Sequence, residues 1–186
     1  MTCPLWLVQV GEEREALTPL GTRAIPEVDS DDPKEVFAFY GLASYLSQVF
    51  EQEVILFAVM FRLRDAKGRV SADDLFDKLD RQTLGQVLNE ARRSARIPDR
   101  ADALVSEAAA ARNRLVHGFF QVNSDLFLSA GGRLSMIQEL RSFAAMFQEA
   151  DASLVAIRLP VANELGLTDE WIAHELEVAL SRADSE

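Results

Sequence analysis

The chain has 186 residues, long enough for one domain with a real core, and its 48% hydrophobic and 26% charged content is ordinary for a globular protein. A formal net charge of −11 argues against broad, non-specific nucleic-acid binding, which rests on excess positive charge. Cys3 is the single cysteine, which excludes an intramolecular disulfide and a cysteine-based metal site, and the longest nearly uncharged apolar stretch, Val54 to Phe61, is far too short to span a bilayer.

From Met1 to Ser30 the pattern is irregular: Leu5-Trp6-Leu7-Val8-Gln9-Val10 reads as a short strand, and Pro19, Gly21 and Pro26 interrupt anything longer. Residues 1–30 are therefore expected to form an irregular N-terminal arm. They lack the basic-then-apolar layout of a secretion signal, so a cytoplasmic location and no membrane association are expected. Asp31, Asp32 and Pro33 then supply a helix start, with proline at an early position where its missing N–H costs nothing.

In the long helix that follows, Val36, Tyr40, Ala43, Ser47, Phe50, Val54, Phe57 and Phe61 step by four and three, the seam of a helix packed in a bundle. A second stripe of Leu42, Val49, Leu56 and Leu63 makes it apolar on two sides, so it is expected to be the central helix. Glu53 is a carboxylate on that otherwise apolar side. It is read as an edge-exposed residue, with a place in a functional cleft as the alternative.

Asp65 to Gly68 ends the long helix, and Ser71 with Asp73 and Asp74 begins a short one over Ala72 to Leu79. Another is expected from Thr83 to Ser94, carrying Leu84, Val87, Leu88 and Ala91. Ile97-Pro98-Asp99 opens the third major helix, which runs through Leu104, Ala108, Ala111 and Leu115 to about His117, where Gly118 suits a C-cap or a bend.

Beyond Gly131-Gly132, Ile137, Leu140, Ala144, Phe147 and Leu154 predict a helix over Leu134 to Ile157 that Pro160 closes. Thr168-Asp169-Glu170 caps a final helix over 168–183 with Trp171, Ile172 and Leu176. The expected fold is all-α, an up-and-down bundle of about five main helices. Residues 31–186 make one domain, with a core at about 33–159.

One polar cluster interrupts this pattern: Arg112-Asn113-Arg114-Leu115-Val116-His117, after an alanine-rich run and before Gly118-Phe119-Phe120. On a helix Asn113 and His117 lie within about 40° of each other, Arg114 lies on the other flank of His117, and Arg112 is about 140° away. Within one chain, Arg114 is the better placed arginine. Histidine takes and gives protons near neutral pH, and arginine presents a planar fork of donors matched to phosphate oxygens. That pairing suits cleavage of an RNA phosphodiester, in which a 2′-hydroxyl is deprotonated and a charged pentacoordinate phosphate is stabilised without a metal. The plainer reading makes His117 a cation near its helix C-terminus, flanked by two surface arginines.

Arg92, Arg93, Arg96, Arg100, Arg112 and Arg114 fall close together in the sequence, and on one shared face they would make an acidic protein locally basic. No metal or cofactor is expected: His117 and His174 lie 57 residues apart with no second histidine or cysteine at helical spacing from either, and Val178 stands where a zinc-protease helix beginning at His174-Glu175 would need its second histidine. Tyr40, Tyr45 and Trp171 could stack on bases. Core packing is the preferred reading of all three.

The cluster resembles the signature of the HEPN superfamily, an arginine followed after four to six residues by histidine, often with a polar residue directly after the arginine. HEPN domains are small all-α bundles with the signature on a late helix after a long first helix, and the resemblance covers roughly Pro33 to Leu159. It implies a metal-independent endoribonuclease that works as a homodimer, the motifs of two subunits facing each other across a shared cleft. By position, Arg112 would bind the scissile phosphate, His117 would transfer the proton and Asn113 would orient them, with Arg114, Arg96 and Arg93 as further RNA-binding residues. Such an enzyme is expected to be a toxin or phage-defence effector restrained by an inhibitory partner protein. Phe119 departs from HEPN toxins controlled by a nucleotidyltransferase antitoxin, which carry the modified tyrosine there, so that route of control is not expected. The alternatives are an inactive HEPN-like binding or dimerisation module, and an unrelated helical protein-interaction domain.

Overall fold

A computed structural model describes residues 24–28 and 31–167; the expected strand at Leu5 to Val10 and the helix at 168–183 lie outside the described residues. The described chain is all-α: α1 (Pro33–Ala66), α2 (Ala72–Asp80), α3 (Leu84–Ser94), α4 (Asp99–Val122), α5 (Ser124–Phe127) and α6 (Ala130–Glu164).

The Asp32 side chain caps α1 by accepting from the Lys34 N–H at 2.8 Å, with Pro33 in the first turn. Lys67, at φ 49°, and Gly68, at φ 79°, take the left-handed turn that ends it. At the start of α3 the Thr83 N–H donates to the Gln86 side chain at 2.9 Å, half of a capping box.

Two helices outrun the boundaries their breakers suggested. Gly118 neither caps nor bends α4, which continues to Val122 because Leu115 and Phe119 on either side of it stay buried. Burial of that face outweighs the roughly 1 kcal/mol that a mid-helix glycine costs. In α6, Pro160 sits inside the helix rather than closing it, and burial of Val161 and Ala162 carries the last turn to Glu164. Gly131-Gly132 belongs to its first turn, with the Ser129 Oγ accepting from the Gly132 N–H at 3.1 Å. Gly132 is required there: a Cβ would stand 2.0 Å from the Leu126 carbonyl oxygen. That close approach seats α5, a four-residue helix the sequence did not announce, against α6.

The longest seam joins α1 to α6, with α3, α2 and α4 completing the cover of α1. The α1 seam residues are buried, apart from half-buried Tyr40, and Phe50 stacks on Phe147 of α6 at 6.2 Å. The second stripe, Leu42, Val49, Leu56 and Leu63, is only half-buried. Glu53 is neither edge-exposed nor in a cleft. It is 4% exposed inside the α1–α6 seam, where the Arg158 guanidinium donates to both its oxygens at 2.5 and 2.8 Å. Arg158 also meets the Met60 sulfur at 3.4 Å, which leaves its charge shared between a carboxylate and a soft, apolar neighbour. Burial outweighs the hydrogen bonds from Arg158 and pushes the Glu53 carboxyl up to about 7. Desolvation likewise pushes Asp151, which shares the field of Arg158, up to about 6.

Candidate functional site

The site is built on the exposed face of α4. Val105, Ala108, Ala111, Leu115 and Phe119 anchor the opposite face in the core, so the residues between them at helical spacing must face outward. Asn113 and His117 occupy that outward face, both exposed, about 40° apart around the helix. Among the described residues His117 has no hydrogen-bond or ion-pair partner. His117 is also not at a helix end: α4 runs on for another five residues to Val122, so the plainer reading, a cation satisfying a helix C-terminus, loses its geometric basis.

The two arginines of the cluster turn away from His117 to opposite sides. Arg112 leans onto α1, where its Nε donates to the Glu51 carboxylate, while its Nη1 lies 3.5 Å from the Asn113 side-chain oxygen. Arg114 leans onto α6, its guanidinium 5.1 Å from the centre of the Phe143 ring. Arg114 is exposed and lies over an aromatic face on the α6 side of the helix. Among the described residues no hydrogen bond joins either arginine to His117.

Below the motif, aromatic contacts pin α4 to its neighbours. Phe119 is buried and meets Tyr40 at 5.9 Å, while Phe120 meets Tyr40 at 4.9 Å and Phe37 at 5.5 Å. The Tyr40 hydroxyl donates to the Leu115 carbonyl at 3.4 Å, so Tyr40 is a packing residue. Tyr45 is 36% exposed and does not belong to the core; Trp171 lies outside the described residues.

The wider arginine set does not share one face. Arg92 bonds Asp102 and Ser106 across the α3–α4 junction, each at 2.7 Å, and Arg93 pairs with Glu90 at 3.2 Å. Arg96 is exposed in the turn just before α4. Since α4 rises about 27 Å between Asp99 and His117, Arg93 and Arg96 sit at the far end of the helix from the histidine. An RNA touching both regions would have to span several nucleotides.

Sequence reasoning missed Glu51, the partner of Arg112, and Arg158, the partner of Glu53. One signal was available: the run Glu51-Gln52-Glu53 breaks an apolar helix at mid-length and asks for cationic partners. Among the described residues no group of three or more histidine, cysteine, aspartate or glutamate side chains is arranged to hold a metal ion, and no helix is long and apolar enough to cross a membrane.

The class these observations define is an all-α bundle with an outward-facing Arg-x4-His helix. The chain matches no protein-family model, no curated protein and no solved structure.

Proposed function

We propose that the chain is a metal-independent endoribonuclease of HEPN type, acting as a homodimer, and that it serves as a toxin or phage-defence effector under the control of an inhibitory partner. The observation that carries this reading is the placement of Asn113 and His117 on the open face of a core helix with Arg112 at its edge. His117 is free to move a proton between the RNA 2′-hydroxyl and solvent or a second histidine. Attack of the 2′-oxygen on phosphorus breaks the P–O5′ bond, the departing 5′-oxygen takes up a proton from solvent or the second histidine, and a 2′,3′-cyclic phosphate remains. Arg112, charged throughout, would neutralise the nonbridging oxygens as that charge develops.

Arg112 stands about 140° around the helix from its own His117, so a compact site needs a second chain. A surface suited to it adjoins the motif. Val116 is exposed beside His117; Val122, the last residue of α4, is 81% exposed and Leu128, just past α5, 82%, with Phe37, Leu126 and Leu134 also open. Large exposed apolar side chains are candidates for a surface that a partner covers. Pairing two copies there would also double the arginines near the cleft of a protein that is acidic overall.

The test is incubation of purified protein with RNA in EDTA, comparing wild type with His117→Ala. Cleavage by the wild type that falls by about 10²- to 10⁴-fold in the variant is the expected result. Equal cleavage by both refutes the reading. Growth arrest on expression that Arg112→Ala and His117→Ala each abolish is expected in cells. A second reading, a HEPN-like binding module, draws on the engagement of Arg112 with Glu51; it predicts intact dimers and no cleavage from any variant.

A further inference from the structure

Arg112 does not wait as an open cation. Its guanidinium is tied from α1 by the Glu51 carboxylate and approached from its own helix by the Asn113 oxygen, and the two ion-pair side chains are about equally shielded, 25% and 23% exposed. Glu51 has no other ion-pair partner among the described residues, so the contact does not belong to a wider network that would explain it as structural support. By contrast, Glu90 bridges both Arg62 and Arg93, and Arg158 bonds Glu53 through two nitrogens.

A carboxylate and a phosphodiester present the same object to a guanidinium: two coplanar oxygens sharing one negative charge. We propose that Glu51 is a built-in stand-in for the substrate phosphate, holding the seat of Arg112 in the free protein and leaving it when a phosphodiester arrives. This inference rests on the reading of Arg112 as the phosphate-binding residue. Its consequence is one of discrimination. Exchange of Glu51 for a single diester is even in charge, so a lone phosphate gains little at Arg112. A strand that touches other positive groups as well can supply the surplus needed to displace the carboxylate. Glu51 is thus a positioning residue that sets a threshold on how much nucleic acid must be engaged before Arg112 is committed.

The experiment uses the full chain and an oligoribonucleotide 2′-O-methylated throughout, which cannot be cleaved because it has no free 2′-hydroxyl. Fluorescence anisotropy across a salt series is measured for wild type, Glu51→Gln, Arg112→Ala and the double variant. Glu51→Gln should bind about fivefold more tightly, the strength of one partly exposed ion pair. Its plot of log K against log salt should steepen by about 0.7, one additional phosphate contact on a single strand. The double variant should match Arg112→Ala. Glu51→Ala repeats the comparison without an amide that could itself bond Arg112, and a thermal melt of each variant confirms folding. Binding no tighter in Glu51→Gln and Glu51→Ala overturns the proposal, as does a gain that survives in the Arg112→Ala background. Cleavage plays no part in this readout, so a failure of the ribonuclease reading shows up separately, as His117→Ala cleaving like wild type. Absence of probe binding by every variant refutes the phosphate seat itself.

Discussion

Replacing Glu53 by glutamine should make the protein more stable at pH 8 while changing little at pH 5. Glu53 lies in the α1–α6 seam, and its carboxyl is pushed from 4.5 up to about 7, first by burial, against the opposing hydrogen bonds from Arg158. A carboxyl whose folded pKa is raised contributes stability that is fully present below its unfolded pKa and is lost as the pH rises through the folded one. The window therefore runs from about pH 4.5 to about pH 7. Over it a shift of this size is worth about 3 kcal/mol. Glutamine imitates the protonated acid at every pH and should not suffer the loss. Thermal unfolding followed by circular dichroism at pH 5, 6, 7 and 8 reads the effect as a gap between variant and wild type. The gap should open with pH to about 6–12 °C in a chain of this size. Taking the difference cancels the titration of groups the two proteins share, Asp151 apart, which faces the same guanidinium and is raised by its own burial. A gap that stays constant, or a wild type that gains on Glu53→Gln as the pH rises, would show that the Arg158 ion pair outweighs burial and would refute the reasoning.

Other expectations concern the rest of the fold. Val122→Glu and Leu128→Glu, both at widely exposed positions, should leave the melting temperature within the change expected of about 0.5 kcal/mol but convert a dimer into a monomer by light scattering. A variant as dimeric as wild type removes that surface from the proposed interface. Gly132→Ala forces a methyl group into the Leu126 carbonyl and should cost about 3 kcal/mol or more in urea unfolding, since the obstruction is backbone and cannot swing aside. Pro160→Ala restores an N–H inside α6 and should raise stability by about 1–3 kcal/mol in the same assay, with no change in RNA cleavage.

The regular parts of the fold were legible because period and burial agreed. The seam from Val36 to Phe61 is the buried side of α1, and Ile137, Leu140, Ala144, Phe147 and Leu154 are all in the core. The boundaries were misread where a single residue was given more weight than the face around it. Gly118 and Pro160 are breakers by propensity, yet each is flanked by side chains whose burial continues the helix. Gly132 is the reverse case: its role depends on the approach of Leu126 from a separate element, which no local pattern encodes. In the site, the outward placement of Asn113 and His117 follows from helical spacing alone. The engagement of Arg112 with Glu51 and of Arg114 with Phe143 depends on which helices pack beside α4, and the sequence pattern ranks those neighbours poorly. The buried ion pair of Glu53 stayed hidden for the same reason, because its partner lies 105 positions further along the chain.

The principal seam joins the first long helix of the described chain to the last. On a ribosome adding roughly 5–20 residues per second, about 3–13 s separate completion of α1 from the first turn of α6. Throughout that interval Phe50 and Phe57 belong to a helix whose main partner has not yet been made. The outward-facing histidine of α4 is synthesised before α6, one of the two long helices against which α4 packs, has been made.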